Sequence, residues 1–129
     1  MAHSSKAALQ RKRQHAYFRG RAAEILAANV LRLKGYHIVA TGYRKPVGEI
    51  DIIARRGTLL VAIEVKSRPR INDAAEALSS RQKRRIARAL EAFVMEKPKF
   101  RDYSVRFDVL LVTSFWRWPR HIEGAWELA

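Results

Sequence analysis

Two segments, Gly48-Glu49-Ile50-Asp51-Ile52-Ile53 and Ala62-Ile63-Glu64-Val65-Lys66, bring the carboxylates Asp51 and Glu64 and the amine of Lys66 into a short span of chain. Both are runs of apolar β-formers, and Arg55-Arg56-Gly57-Thr58 lies between them, so the economical reading is a hairpin. With Gly57 and Thr58 as the central residues of a type II′ turn, Arg56 faces Leu59. Counting outward then sets Asp51 opposite Glu64 and Glu49 opposite Lys66. Opposed residues share a face, and alternation groups Asp51 with Glu49 and Ile53, and Glu64 with Leu60, Ala62 and Lys66. Slipping the register by one residue destroys the arrangement.

Two carboxylates at one site repel, so either one holds a proton or a cation sits between them. A hard divalent ion, Mg²⁺ or Mn²⁺, is held by such a pair with water and phosphate oxygens completing the shell. The ion lowers the pKa of its water and binds the scissile phosphate. Lys66 would stabilise charge developing on the phosphoryl group or orient the attacking water. The pattern thus predicts a metal-dependent phosphodiesterase. The alternative is an ordinary hairpin with cross-strand ion pairs on a solvated face. Residues 59–63, Leu-Leu-Val-Ala-Ile, favour the first reading, because they suit a strand buried on both faces and charges at its end are costly without a role.

Composition points to the substrate class. The 129 residues include 26 Lys and Arg against 12 Asp and Glu, a formal net charge of +14, so a polyanion is the expected partner. Residues 1–23 hold six basic residues and no acid, Lys66-Ser67-Arg68-Pro69-Arg70 follows the candidate site directly, and residues 81–88 hold five more basic side chains. Nucleic acid fits this clustering best, and a solvated basic helix or a ribosome-surface protein would show it too. An anionic membrane fits less well, because the basic helix near residue 84 needs its apolar stripe for the core.

The elements that must position these residues read, in order, α, β, β, β, α, β, β. A first helix spans residues 20–34 and ends at Gly35. A first strand covers residues 36–40, and the hairpin supplies two more. Residues 68–80 form a loop ending at a Ser79 or Ser80 cap. In the basic helix that follows, Ile86, Ala89, Leu90, Phe93 and Val94 recur at helical spacing, and Pro98 lies beyond its end. Residues 105–112 read as a buried strand, and residues 122–126 as a last short one. With 48% hydrophobic residues the chain has material for one core, giving a flexible basic arm over residues 1–16 and a single domain over 17–129. No cysteine is present, no stretch is long enough to span a bilayer, and the N-terminus has no apolar signal core, so the cytoplasm is the expected compartment.

Other residues carry weaker signals. Glu24 sits at the edge of the first helix's apolar face; it either favours the helix dipole or, if the helix crosses the hairpin, joins Asp51 and Glu64 as a third acid. Arg44 is a candidate phosphate contact, with a surface salt bridge as the alternative. Arg68, Arg70 and Lys83 are further candidates for nucleic-acid contact. Asp108, on a central strand, would orient a neighbouring basic residue. The histidines 3, 15, 37 and 121 show no ligand spacing and receive no role. Trp116, Trp118 and Trp126 either stack on bases or form core or oligomer contacts.

The run Gly20-Arg21-Ala22-Ala23-Glu24, then Gly35-Tyr36, Tyr43-Arg44, Gly48-Glu49-Ile50-Asp51-Ile52-Ile53, Glu64-Val65-Lys66-Ser67-Arg68, Gln82-Lys83-Arg84-Arg85-Ile86 and Arg106-Phe107-Asp108-Val109 resembles the YraN-like family over roughly residues 17–112. That family is similar to archaeal Holliday-junction resolvases and belongs with the PD-(D/E)xK nucleases. The resemblance implies a restriction-endonuclease-like αβββαβ core, a mixed central α/β sheet flanked by helices. It also implies that Asp51 and Glu64 bind the metal with the Val65 carbonyl, that Lys66 is the catalytic lysine, that Glu24 is the helix acid beside the metal, and that Gln82 faces the site. Ile50 stands where the superfamily name has Pro, and Ile86 where Gln-x-x-x-Tyr relatives have Tyr. A homodimer is implied too, since junction-cutting enzymes commonly match the symmetry of their substrate. Three functions follow as expectations: a Mg²⁺- or Mn²⁺-dependent endonuclease on branched, flapped or damaged DNA; a nucleic-acid-binding module that keeps the fold without turnover; and an RNA- or ribosome-associated factor.

Overall fold

The structure is a computed structural model that describes residues 2–67, 78–114 and 116–127. These form α1 (Ala2–Leu33), β1 (His37–Lys45), β2 (Gly48–Arg56), β3 (Leu59–Ser67), α2 (Ser80–Glu96), a 3₁₀ turn (Pro98–Phe100), β4 (Ser104–Val112) and β5 (Arg120–Trp126). The strands make one sheet in the order β1-β2-β3-β4-β5, antiparallel except for the parallel β3–β4 pair. This is the mixed α/β sheet expected from the sequence, with the element order as read there.

A helix packs on each face of that sheet. On one side Ala27, Val30 and Leu31 of α1 meet Ile52, Val61, Ile63 and Leu110. On the other, Ile86, Leu90 and Phe93 of α2 meet Ile53, Leu60, Ala62 and Phe107. Consecutive residues of β2 and β3 thus feed opposite cores, which is why residues 59–63 are apolar throughout. Ser79 caps α2: its hydroxyl accepts from the Gln82 amide at 3.1 Å, and the Gln82 side chain accepts from the Ser79 amide at 3.1 Å. Helix α1 ends as expected at Gly35, where φ is +90° and the Tyr36 amide reaches back to the Leu31 carbonyl at 3.0 Å.

Two boundaries differ from the sequence reading. Helix α1 begins well before residue 20. Strand β1 runs on to Lys45 and pairs with β2 down to Lys45↔Gly48, with Pro46 and Val47 at the turn. Residues 41–45 are mostly exposed and include Gly42 at φ +59°, so this edge segment has backbone pairing but no apolar periodicity to announce it.

The hairpin turn is the expected one. Gly57 has φ +60°, no other residue type has positive φ among the described residues, and Arg56 pairs with Leu59, a combination that fits type II′ and excludes type I′. The ladder then runs to Ile52↔Ile63 and stops, while β2 stays paired with β1 down to Gly48 and β3 with β4 up to Ser67↔Val112. The sheet therefore forks immediately before Asp51 and Glu64. The expected ladder pairs Asp51–Glu64 and Glu49–Lys66 are not formed. In their place the Val65 amide donates to Asp51 Oδ2 at 2.8 Å, so a side chain takes the hydrogen bond that a β2 carbonyl would accept in a continuous ladder. Strict alternation breaks here as well, since Ile50 and Ile53 pack in the same core while Ile52 packs in the other.

Candidate active site

The fork puts Asp51 and Glu64 at the splayed ends of two strands with their carboxyls close enough to act on one another. Burial pushes Glu64 up to about 7, and the negative charge of Asp51 adds to the rise against the opposing pull of Lys66. Asp51 is raised too, by burial first, although the Val65 amide, Glu64 and Lys66 each stabilise its charged form. Lys66 Nζ lies 3.4 Å from Glu64 Oε1, with the two side chains only 11% and 15% exposed. Two desolvated carboxyls and one ammonium thus share a confined volume with an excess of negative charge. Adding positive charge would relieve it.

Two clefts open here, the first on both acids and the second on Glu64. One, of about 430 Å³, is lined by Arg21 and Glu24 of α1, Arg44 of β1 and Glu49, Asp51 and Glu64. The other, of about 470 Å³, is lined by Glu49, Glu64, Ser79, Arg81, Gln82 and Arg85. Glu24 lines the first cleft with the acid pair: burial raises its carboxyl, and the charge of Asp51 raises it further. Gln82 lines the second cleft while its side chain is engaged in the α2 cap. Past that cleft, Arg81, Arg84, Arg85 and Arg88 surround a third hollow of about 510 Å³ beside Pro46 and Val47. A basic track thus leads from α2 to the acids.

Not every expected residue joins the site. Lys83 lines none of these clefts, and Arg68 and Arg70 lie outside the described residues. Conversely, Glu49 lines both inner clefts and pairs with Arg85 at 3.8 Å, and Arg21 stands beside Glu24. Arg21 is detectable in the sequence by its spacing of three from Glu24, which puts both on one helix face. Glu49 gave only the weak signal of sharing a strand with Asp51.

Asp108 does orient a basic residue. It is fully buried, and Arg106 forks onto both its oxygens at 2.8 Å. His121 Nε2 lies 2.7 Å away and the Gly124 amide donates at 2.9 Å. Burial alone would raise Asp108, but His121, Arg106 and Gly124 together outweigh it and hold the carboxyl down at about 2. Arg106 also donates to the Tyr36 hydroxyl at 2.6 Å. This network ties β4 and β5 to the end of α1 and lines none of the clefts at the fork. The sequence left His121 without a role because its partner is distant along the chain.

Among the described residues no cluster of three or more His, Asp or Glu side chains is placed to hold a metal ion. The donors at the fork are the oxygens of Asp51 and Glu64, joined by the Val65 carbonyl, which points to the same side of β3 as the amide that faces Asp51. An all-oxygen set of this kind fits a hard divalent cation that keeps several waters.

A family model described as "Uncharacterised protein family UPF0102" matches residues 23–112. The chain is 49% identical over 112 residues to a UPF0102 protein of Parvibaculum lavamentivorans, covering 87% of this chain and 84% of that protein. It is 47% identical over 122 residues to a UPF0102 protein of Paramagnetospirillum magneticum, covering 92% and 94%. A UPF0102 protein of Sinorhizobium medicae is 50% identical over 107 residues, covering 83% and 87%.

Proposed function

The chain belongs to the UPF0102 family, and from that premise we propose that it is a divalent-metal-dependent endonuclease of the PD-(D/E)xK kind, cutting phosphodiester bonds in branched, flapped or damaged DNA. The observation that carries the proposal is the fork: two largely desolvated carboxyls, each raised by burial, with Lys66 beside them, at the meeting of clefts edged by Arg21, Arg44, Arg81 and Arg85. Asp51, Glu64 and the Val65 carbonyl would hold Mg²⁺ or Mn²⁺, which when bound supplies positive charge to the phosphate and acidifies water. Lys66 is the only cation in contact with Glu64 among the ion pairs described, and it stands ready to stabilise charge developing on the phosphoryl oxygens. Glu24, at the edge of the same cleft with a raised pKa, is suited to hold or accept a proton there. Arg44 and Arg21 position the backbone, and the arginines of α2 carry the strand away from the cut.

The test is cleavage of labelled four-way junction, flap, single-stranded and duplex DNA in Mg²⁺, Mn²⁺ or EDTA. Metal-dependent products should appear with the wild type. They should fall at least a hundredfold with Asp51→Asn, Glu64→Gln or Lys66→Ala while the dissociation constant changes by no more than about threefold. The amide oxygen introduced by Asp51→Asn can still accept the Val65 hydrogen bond, so the fork should persist in that variant. Equal cutting by the variants overturns the proposal. Tight binding with no cutting by the wild type would favour the non-catalytic module.

A further inference from the structure

We propose that Trp116 and Trp118, with Arg117 and Arg120, form a stacking platform for unpaired nucleobases beside the fork; the inference deepens the nuclease reading by naming the substrate feature that the protein grips. Trp116 is 96% exposed and Trp118 66% exposed, whereas Trp126 is buried and stacks on Phe107 with ring centroids 5.2 Å apart. One tryptophan therefore serves the core and two do not. Arg117 and Arg120 are exposed between and beside them, while Pro119 is buried and anchors the segment. Residues 113–122 contain no carboxylate. Aromatic faces interleaved with guanidinium groups match the faces and phosphates of single-stranded nucleic acid.

Placement supplies the second argument. Strands β3 and β4 are parallel, with Glu64 level with Val109 and Ser67 level with Val112, so the connection from β4 to β5 leaves the sheet at the end where Glu64 and Lys66 lie. Along the strand, the distance from the level of Glu64 to Thr113 is roughly 13 Å at about 3.3 Å per residue. That is on the order of four stacked base steps at about 3.4 Å each. A flap or an unpaired junction base held on the tryptophans would leave the neighbouring duplex backbone near the acid pair. An apolar protein partner explains the tryptophans less well, because it leaves Arg117 and Arg120 without counter-charges.

Binding in EDTA separates this inference from catalysis. The probes are a flap DNA carrying 2-aminopurine at an unpaired position and a blunt duplex of equal length, titrated with the full chain at fixed salt. The wild type should prefer the flap and quench the 2-aminopurine. The Trp116→Ala/Trp118→Ala double variant should lose at least tenfold in flap affinity together with the quench, with duplex affinity within twofold of wild type, and the corresponding double Phe variant should keep most of both. Both positions are exposed, so the variants should fold, and an unchanged thermal midpoint verifies it. Equal loss on flap and duplex, or loss on neither, overturns the platform. So does a double variant whose flap binding is intact while self-association or binding to anionic vesicles is abolished. A tryptophan-dependent flap preference in a wild type that never cuts would defeat the nuclease reading and leave the platform standing.

Discussion

Glu64 shows how one residue can carry both a cost and a use. Its folded pKa of about 7 lies above its ordinary value of 4.5, so between those two pH values the folded protein binds more protons than the unfolded chain. Stability must therefore fall as pH rises through this window and be lowest above it. In metal-free buffer Glu64→Gln should be about 1–3 kcal/mol more stable than wild type at pH 8 and nearly equal to it at pH 4.5, measured by denaturant midpoints. A Glu64→Gln variant less stable than wild type at pH 8 would mean that the carboxylate is already compensated by the protein. Asp108 behaves in the opposite way. Held down at about 2, it contributes stability above its ordinary 3.8 that is lost as pH falls from there towards 2. Asp108→Ala should cost roughly 3–5 kcal/mol by removing the buried carboxylate that Arg106, His121 and the Gly124 amide share. A loss under about 1 kcal/mol, or unchanged acid unfolding, would remove the network from the interactions that hold β5 in place.

At the scale of elements, the hairpin was the most legible part of the chain. A turn signal flanked by apolar runs specifies both register and turn type, and the pairing from Arg56↔Leu59 to Ile52↔Ile63 follows by counting. Counting could not show where the ladder ends, because the fork depends on Asp51 taking the Val65 amide, a contact between a side chain and another strand. The reach of Glu24 was likewise conditional on how α1 crosses the sheet. The small residues Ala23, Ala27 and Ala28 let α1 sit close, which brings Glu24 to the cleft that holds the pair. Strand β1 beyond residue 40 was illegible for the reason common to edge strands: one side faces solvent, and polar residues serve there.

The glycine that opens β2 has its own packing role. A Cβ on Gly48 would lie 1.8 Å from the Arg85 carbonyl oxygen, so β2 and α2 touch backbone to backbone at the mouth of the second cleft. Gly48→Ala must push the two elements apart, and an overpacking cost of about 1–3 kcal/mol is expected, with a matching drop in thermal midpoint. The same displacement should lower cleavage, since it moves Glu49 and Asp51 relative to Arg85 and the helix that carries it. An alanine variant as stable as wild type would contradict this contact.

For the molecule as a whole, charge and chemistry are laid out in sequence. The arginines of α2 lead to the clefts, the clefts to the acids, and the connection from β4 to β5 leaves at the same end of the sheet. Composition alone pointed to a polyanion as the expected partner but not to this path, which exists only after β2, β3 and α2 converge. Binding should therefore weaken steeply with salt, and Arg84→Ala/Arg88→Ala should flatten the slope of log K against log salt by between about one and two, since neither residue lines an inner cleft. An unchanged slope would place the DNA elsewhere. Cleavage presupposes that the fork takes a divalent cation. The most direct measurement is calorimetric titration of Mn²⁺ into the metal-free full chain at pH 8 and pH 6, wild type beside Asp51→Asn. One ion per chain at pH 8, weaker binding at pH 6 where Glu64 is largely protonated, and no comparable binding by the variant are the expected results. Identical isotherms for the two proteins, or no binding by the wild type, would contradict a cation site at the fork.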